Sequence, residues 1–573
     1  MKFRELALYL EKLEKTSSRI EITEILSDLF KKTSVSEIDK VVYLLSGQLA
    51  PSYQGIVFNM ADKMVVRALS LAFRKNIQDI TQIYREKGDL GVVAEHLASK
   101  NDKTKSEPTV SEVYEKLGLL AKDEGSGSQD RKVEYLANLI LSLDALSARY
   151  VVRIPLSRLR LGFSDKTILD ALSWMENGDK SSRSELEKAY FVLPDTGLLA
   201  KKVKEIGIKK ATVEVKPVIG VPVLPLLAQR LIDPSEMIEK MGEVSIEPKL
   251  DGLRLSLHIK TGKDGFIKAF TRNLNENSWM FPELSKIGEQ ITCKEVILDS
   301  EAVGLDEETK QQANFQTTMT RRRKHEIEKT LQKIGIEFYV FDIVFKDGVS
   351  LMNTGYRERR GVLEEVVKPG KVLKLVDYEI TESPQRINEL FRDNIKKGFE
   401  GIMVKKADAE YVPGRTGWRW VKMKQEVTSS AKLADTVDAI VMGYTSGKGK
   451  RVDFGLGQFL VGVRKGELIV TTSKIGTGLT DEQFREMKIR LSKLEVSKKP
   501  KEYEVHKDLY PDSWVTPNVV VELAADEITK SPKHTAGLAL RFPRLINFRD
   551  DKSPKDATTI QELRDLFKLQ KVR

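Results

Sequence analysis

One cysteine, Cys293, stands in a chain of 573 residues, so disulfides within the chain and cysteine-built zinc sites are both excluded. Histidine is scarce as well. His96, His258, His325, His506 and His534 are scattered without metal-ligand spacing. No apolar run approaches the ~20 residues that a spanning helix needs. The opening "MKFRELALYLEKLEKT" puts Phe3, Leu6, Leu10 and Leu13 on one helical face, but acidic residues interrupt it, which argues for a packed helix and against a signal peptide. A cytoplasmic compartment is the expectation. Internal repeats are lacking too.

What is present is ordinary in kind, with 40% hydrophobic and 31% charged residues. The length is too great for one hydrophobic core and suggests three or four domains. Net charge is +11, a modest excess that favours a polyanionic partner.

Three regions differ in pattern. Residues 1–212 read as helical throughout, with stripes such as Ile22, Ile25, Leu26, Leu29 and Phe30, and again Val133, Leu136, Leu139 and Ile140. Prolines 217, 222 and 225 mark a linker. From 213 to 427 strands and helices alternate, as expected of an α+β domain. In 428–573 short strands recur between glycine-rich turns: "VDAIVMGY", "GQFLVGVR", "LIVTTSKIG", "VVVELAA" and "LALRF". Some five strands in so short a stretch predict a small β-barrel of the OB-fold type, closed by a C-terminal helix.

The stretch "EPKLDGLRLSL" (247–257) carries the chemistry. Period-two alternation on both sides of Asp251-Gly252 predicts a hairpin, with Lys249 opposite Arg254. Like charges directly opposite are destabilising, unless the strain has a use. A lysine amine attacks phosphorus only when unprotonated, and at a usual pKa of about 10.4 little is free near neutrality. A neighbouring cation would make Lys249 a better nucleophile. The rival reading of the pair alone is two surface cations splayed into water.

Further segments follow in order: "LDSEAVG" with Glu301 at a strand end, "FYVFDIVF" with Phe341, "GFEGIMVKK" with Glu400 and Lys405, "GRTGWRWVKMK" with Arg415, Trp420, Lys422 and Lys424, and "LRFPRLINFRDDKSP" with Arg541, Arg544, Arg549, Asp551 and Lys552. In "RWVKMK" the alternation places Lys422 and Lys424 on one strand face. With these motifs the chain resembles ATP-dependent DNA ligases of the archaeal and eukaryotic replicative type, within the covalent nucleotidyltransferases, from about residue 1 to 570.

The resemblance implies that Lys249 attacks the α-phosphate of ATP. It implies that Glu247 and Phe341 hold adenine, that Arg254 and Arg272 (in "AFTRN") contact ribose and phosphate, and that Glu301 and Glu400 hold the sugar and Mg²⁺ or Mn²⁺. Lys422 and Lys424 would reach the α-phosphate, with Arg415 and Trp420 lining the pocket. Arg541, Arg544, Arg549, Asp551 and Lys552 would meet pyrophosphate. It also implies DNA contacts at the turn "EGSGSQDRK", with Ser128 and Lys132, and at "SRLRLGFSDKTILDAL", with Arg158 and Arg160 before a helix capped by Ser164 or Asp165. The basic run "TRRRKHEIEK" (320–329) is a further candidate for the DNA backbone.

The implied partner is nicked double-stranded DNA, bound by a monomer that does not touch a membrane. Relatives often dock on a sliding clamp through a glutamine, a hydrophobic and two aromatics in an N-terminal loop. The loop here, "KNDKTKSEP", has no such peptide. A capping guanylyltransferase or RNA ligase would share the lysine motif but not the helical region before it. A scaffold that binds DNA without catalysis would take no label from ATP.

Overall fold

The computed structural model describes all residues except 17, 101–106, 160, 162, 214, 307–333, 415–416, 425–434, 447–454, 478 and 571–573. Among the described residues every named element from the helix Phe3–Lys15 to the helix Ile208–Val213 is a helix, and their apolar stripes merge into one core. Phe3, Leu6, Leu10 and Leu13 are fully buried there, beside Leu26, Leu29, Phe30 and Leu136. The helix Ser128–Leu141 starts behind Gly127, whose φ of 74° is the left-handed geometry glycine tolerates. Ser164 precedes the helix Asp165–Asn177 without a side-chain cap.

The middle region holds two sheets. One runs in the order β1 (Gln229–Arg230), β11 (Trp420–Lys424), β10 (Gly401–Lys406), β2 (Val244–Pro248), β9 (Glu379–Thr381). The other runs β4 (Phe266–Thr271), β3 (Leu253–Lys260), β5 (Glu295–Asp306), β6 (Ile334–Lys346), β7 (Val349–Ser350), with β8 (Leu373–Leu375) also on β6. Alternation explains how each strand divides its faces. Leu253, Leu255, Leu257 and Ile259 of β3 enter a core with Leu363 and Val366 of the helix Tyr356–Val366. Phe341, Val344 and Phe345 of β6 meet Leu226, Leu250, Tyr411 and Trp420. The helices Pro234–Met241 and Pro384–Lys396 supply Met237 and Ile387 to a core with Ile246, Ile402 and Val421.

The hairpin expected at Asp251-Gly252 does not form. β2 and β3 belong to different sheets, and residues 249–252 are the crossing between them. Gly252 is required there, because a Cβ would lie 2.4 Å from the Ala302 carbonyl oxygen. Glu301 is likewise not at a strand end, since β5 continues to Asp306.

The C-terminal region is rich in strands. β12 (Val437–Thr445), β13 (Gln458–Lys465) and β14 (Leu468–Ile475) form an antiparallel run. β15 (Glu495–Val496), β16 (Tyr503–Glu504), β17 (Ser513–Val515), β18 (Val520–Ala524) and β21 (Arg544–Phe548) extend it. β19 (Glu527–Lys530) and β20 (Leu538–Arg541) pair separately. Among the described residues the sheet does not pair end to end into a barrel. The helix Ile560–Leu569 closes the region, opened by a Thr559–Glu562 capping box.

This region touches both others. Glu467, in the β13–β14 turn, receives Arg19, Ser164 (2.5 Å) and Thr167 (2.5 Å) of the helical region. Lys555 pairs with Asp165, and Arg158 donates to the Lys493 carbonyl at 2.7 Å. Toward the middle region, Asp556 accepts from Arg272 Nε at 3.2 Å.

Candidate active site

Lys249 lies just past the end of β2, where the ladder with β10 continues by one step. Its N–H donates to the Gly401 carbonyl at 2.9 Å, and the Glu400 N–H donates to the Lys249 carbonyl at 3.2 Å. Backbone pairing therefore sets Glu400 beside the lysine, and their side chains form an ion pair. Gly401 permits this, since its φ is 151° and a Cβ would collide with the Met423 carbonyl. The other Glu400 oxygen pairs with Lys424 of β11. Burial alone would raise the Glu400 carboxyl, but Lys249 and Lys424 outweigh it and hold it well below the usual range.

Arg254 is not opposite Lys249. It stands on β3 beside Glu301 of β5, and its charge is already matched. Nε and Nη2 make a fork on Asp299 at 2.9 and 2.6 Å, while Nη1 donates to the Leu226 carbonyl at 2.6 Å. Tyr411 adds its hydroxyl to Asp299 at 2.8 Å. The expected cross-strand activation of Lys249 is thus replaced by an arginine locked to a carboxylate. At half-buried Glu301 desolvation, offset in part by Lys249 and Arg254, pushes the carboxyl up to about 8.

Phe341 and Trp420 face each other edge to face, with centroids 5.8 Å apart. Trp420 Nε1 is buried without a hydrogen-bond partner. Glu247 is 2% exposed, and its two oxygens receive the Tyr356 hydroxyl and the Lys405 ammonium, the latter at 2.7 Å. Lys405 also lies 4.6 Å from the Phe341 ring centre and 4.5 Å from that of Trp420. Burial pushes its ammonium below the usual range even though Glu247 pulls it back. Glu247 is thus a buried brace in this conformation, and not an open carboxylate.

Lys422 and Lys424 share one face of β11, as the alternation predicts, and Lys422 lies 3.4 Å from Asp435. A cleft of about 1830 Å³ opens before them, lined also by Arg230, Arg272, Arg549 and Lys552. Lys552 pairs with Asp438, and burial lowers its ammonium to about 8 despite that partner. Arg549 forks onto Asp551 at 2.8 and 2.6 Å.

Of the other described residues singled out in the sequence, Arg541, Arg544, Ser128 and Lys132 do not line this cleft, whereas Arg158 does. Arg541 and Arg544 pair within the C-terminal region, with Glu527 (3.1 Å) and Asp526 (2.7 Å). Lys132 was expected at DNA, but it is 3% exposed and its ammonium donates to the Phe58 carbonyl at 2.8 Å. Ser128 is partly exposed at its helix start. Arg158 pairs with Asp62 at 3.0 Å. Arg160, Arg415 and the run 320–329 lie outside the described residues. Sequence reasoning missed Asp299, Tyr411, Tyr356 and Asp435. Only Asp299, two residues before Glu301 in "LDSE", had a signal in the motif itself.

Three family models match in chain order. "DNA ligase N terminus" covers residues 2–173, "ATP dependent DNA ligase domain" covers 225–424, and "ATP dependent DNA ligase C terminal region" covers 453–552. Together they define a three-region ligase of the nucleotidyltransferase type. The "Probable DNA ligase" of Dictyoglomus turgidum is 40% identical over 582 residues, spanning 100% of this chain and 98% of its own length. The "DNA ligase" of Saccharolobus solfataricus is 36% identical over 595 residues, with the same two coverages. Solved structures that resemble the chain include a mycobacterial DNA ligase D with ATP (24% identity, TM-score 0.35, 58% of this chain and 97% of that one). The chain belongs to the ATP-dependent DNA ligase family, whose members use ATP to seal nicks in duplex DNA.

Proposed function

We propose that Lys249 is the residue adenylated in this ligase. The observation that carries the assignment is the Lys249–Glu400–Lys424 chain of charges, set by backbone pairing beside the aromatic pair Phe341 and Trp420. The Lys249 amine, freed of its proton and of Glu400, attacks the α-phosphorus of ATP. A P–N bond forms, the P–O bond to the β-phosphate breaks, and pyrophosphate leaves. AMP then passes to the 5′-phosphate of the nick, releasing the lysine, and the 3′-hydroxyl displaces AMP to join the strands.

Positioning and charge neutralisation dominate such transfers. Phe341 would stack on adenine above the Glu247–Lys405 pair, with the unspent Trp420 Nε1 donor at the wall. Arg254, held by Asp299, would meet the ribose, and Lys422 and Lys424 the α-phosphate. Arg272, Arg549 and Lys552 would meet the departing pyrophosphate, while Arg541 and Arg544 would reach it only after the C-terminal region turns.

Glu301 and Glu400 suit a hard divalent ion, because they offer only oxygen donors. Glu301 is half-buried, and the charges of Asp299 and Asp251 add to the cost of its ionised form. Mg²⁺ or Mn²⁺ bound there would neutralise phosphate charge.

We further propose the domain limits 1–212, 213–427 and 428–573, the last an OB-fold module. The helical domain, through Ser128, Arg158 and Arg160, would grip DNA. The protein would act as a monomer in the cytoplasm, at the nucleoid. Docking on a sliding clamp would need a route other than the missing peptide.

Incubation with α-labelled ATP followed by peptide mapping tests the assignment. Label should sit on Lys249 alone, and Lys249→Ala should take none while still binding nicked duplex. AMP mapped to another lysine would overturn it.

A further inference from the structure

The tetrapeptide "AQRL" (228–231) lies outside every motif the chemistry above uses, yet it forms a strand of two residues in the cleft. β1 pairs in parallel with β11, which sets Arg230 directly beside Lys422. Two adjacent cations in a cleft wall need an anion between them. In this structure the anion is Asp435, which precedes β12. Its Oδ2 lies 2.5 Å from Arg230 Nη1 and 3.4 Å from Lys422 Nζ.

The fit is poor on the arginine side. The Arg230 side chain is only 7% exposed, yet Nε, Nη1 and Nη2 all lack a hydrogen-bond acceptor of acceptable geometry. An arginine fork that matches its anion makes two parallel bonds, as Arg254 does with Asp299. A buried guanidinium with no aligned bond is costly unless another ligand uses it. The ligand must be anionic, rich in oxygen and able to fit beside Lys422, in a cleft also lined by Arg272, Lys424, Arg549 and Lys552. Phosphate meets each requirement.

We propose that Arg230 is a further phosphate-binding residue, and that Asp435 fills its place until phosphate arrives. This rests on the ligase reading above. When phosphate enters, Asp435 moves away with the C-terminal region, so phosphate binding and domain movement are linked through one carboxylate. The phosphate is either the polyphosphate tail of ATP or a backbone phosphate of the nick.

The test uses the full chain and two variants, Arg230→Gln and Asp435→Asn, each first checked for folding by thermal unfolding. Affinity for pyrophosphate is read from its attack on the adenylated enzyme, which breaks the P–N bond and regenerates ATP. Affinity for DNA phosphate is read from sealing of a pre-adenylated nick. Arg230→Gln should weaken one of the two by about 10- to 100-fold, the range of a charge-assisted contact. Asp435→Asn should strengthen the same one, because it removes the competing charge. Loss in the pyrophosphate arm identifies the ATP tail, and loss in the sealing arm identifies DNA. A purely structural ion pair predicts that both variants weaken binding together or leave it unmoved, and either result overturns the proposal. Failure of the ligase reading is separate: the unaltered enzyme would then take no label from ATP.

Discussion

Asp299→Ala should be among the most damaging single changes near the site, although Asp299 need not touch either substrate. It removes both acceptors of the Arg254 fork and the acceptor of the Tyr411 hydroxyl. Breaking one side of a buried ion pair costs about 3–5 kcal/mol. The lower end applies, since the Arg254 side chain is 19% exposed and keeps its bond to the Leu226 carbonyl. At roughly 2–4 °C per kcal/mol for a domain of this size, a loss of about 3 kcal/mol lowers the Tm by ~6–12 °C. Thermal unfolding of the full chain, alone and with Arg254→Leu and the double variant, measures it. The double variant should lose clearly less than the sum of the singles, because Arg254→Leu removes the stranded charge. Strict additivity would mean that the two side chains do not depend on each other, and would refute the reasoning. Label transfer from ATP should also fall in Asp299→Ala at temperatures where the protein remains folded, because Arg254 then loses the fork that orients it and keeps its bond to the Leu226 carbonyl.

Glu301→Gln should separate stability from activity. With the folded carboxyl near 8 and the unfolded one near 4.5, the native state binds more protons between these values. Its contribution is therefore complete below about pH 4.5 and lost as pH rises through 8. In chelator and without ATP, Glu301→Gln should unfold at a higher temperature than the unaltered chain near pH 9, yet lose 10²-fold or more in sealing, on the order of a removed transition-state contact. Equal Tm at pH 9, or full activity at low Mg²⁺, would count against it. Glu467→Ala removes the acceptor of Arg19, Ser164 and Thr167, so nicked duplex should bind up to about tenfold tighter if that contact holds the helical and C-terminal regions together. Unchanged affinity would show that DNA does not compete with it. Removing residues 1–210 should leave label transfer largely intact but weaken nick binding and flatten its dependence on salt. An undiminished salt slope would assign the helical region another role.

Local pattern was enough to find most elements. The stripe of Phe3, Leu6, Leu10 and Leu13 is buried as its spacing demands, and the strands around Glu301 and Phe341 lie where their alternation puts them. Pairing was harder to read. "VSIEP" and "LRLSLHIK" both alternate, and Asp-Gly between them is a strong turn signal. Yet β2 pairs with β9 and β10, well over a hundred residues later, and β3 pairs with β4 and β5. Nothing in a window of ten residues distinguishes a hairpin from a crossing between sheets. β19 and β21 escaped notice because four or five residues of mixed polarity carry no periodic signal. The same limit hid Asp435, whose role depends on meeting Arg230, more than two hundred residues earlier.

The change at Arg254 alters how reactivity at Lys249 is explained. Across a hairpin the arginine would have worked by repulsion, at a standing cost to the fold. With Lys249 and Arg254 split between two sheets, each cation meets a carboxylate: Glu400 for Lys249 and Lys424, Asp299 for Arg254, Asp435 for Lys422 and Arg230. These pairs balance the cations of the crevice, and under the proposed function they would also suit it to phosphate, because each lysine or arginine faces a carboxylate that a phosphoryl oxygen could replace. Glu400 is the pivotal case. If Lys249 is the nucleophile as proposed, Glu400 must release it before that amine can attack, and α-phosphate bound at Lys424 would draw away the second cation that holds Glu400 in place. On this view the substrate itself uncovers the nucleophile. The two-sheet crossing at Gly252 would then be the structural condition for the proposed chemistry, since it puts Lys249, Glu400 and Lys424 with the sheet of β2, β10 and β11, and Arg254, Asp299 and Glu301 on the sheet of β3 and β5.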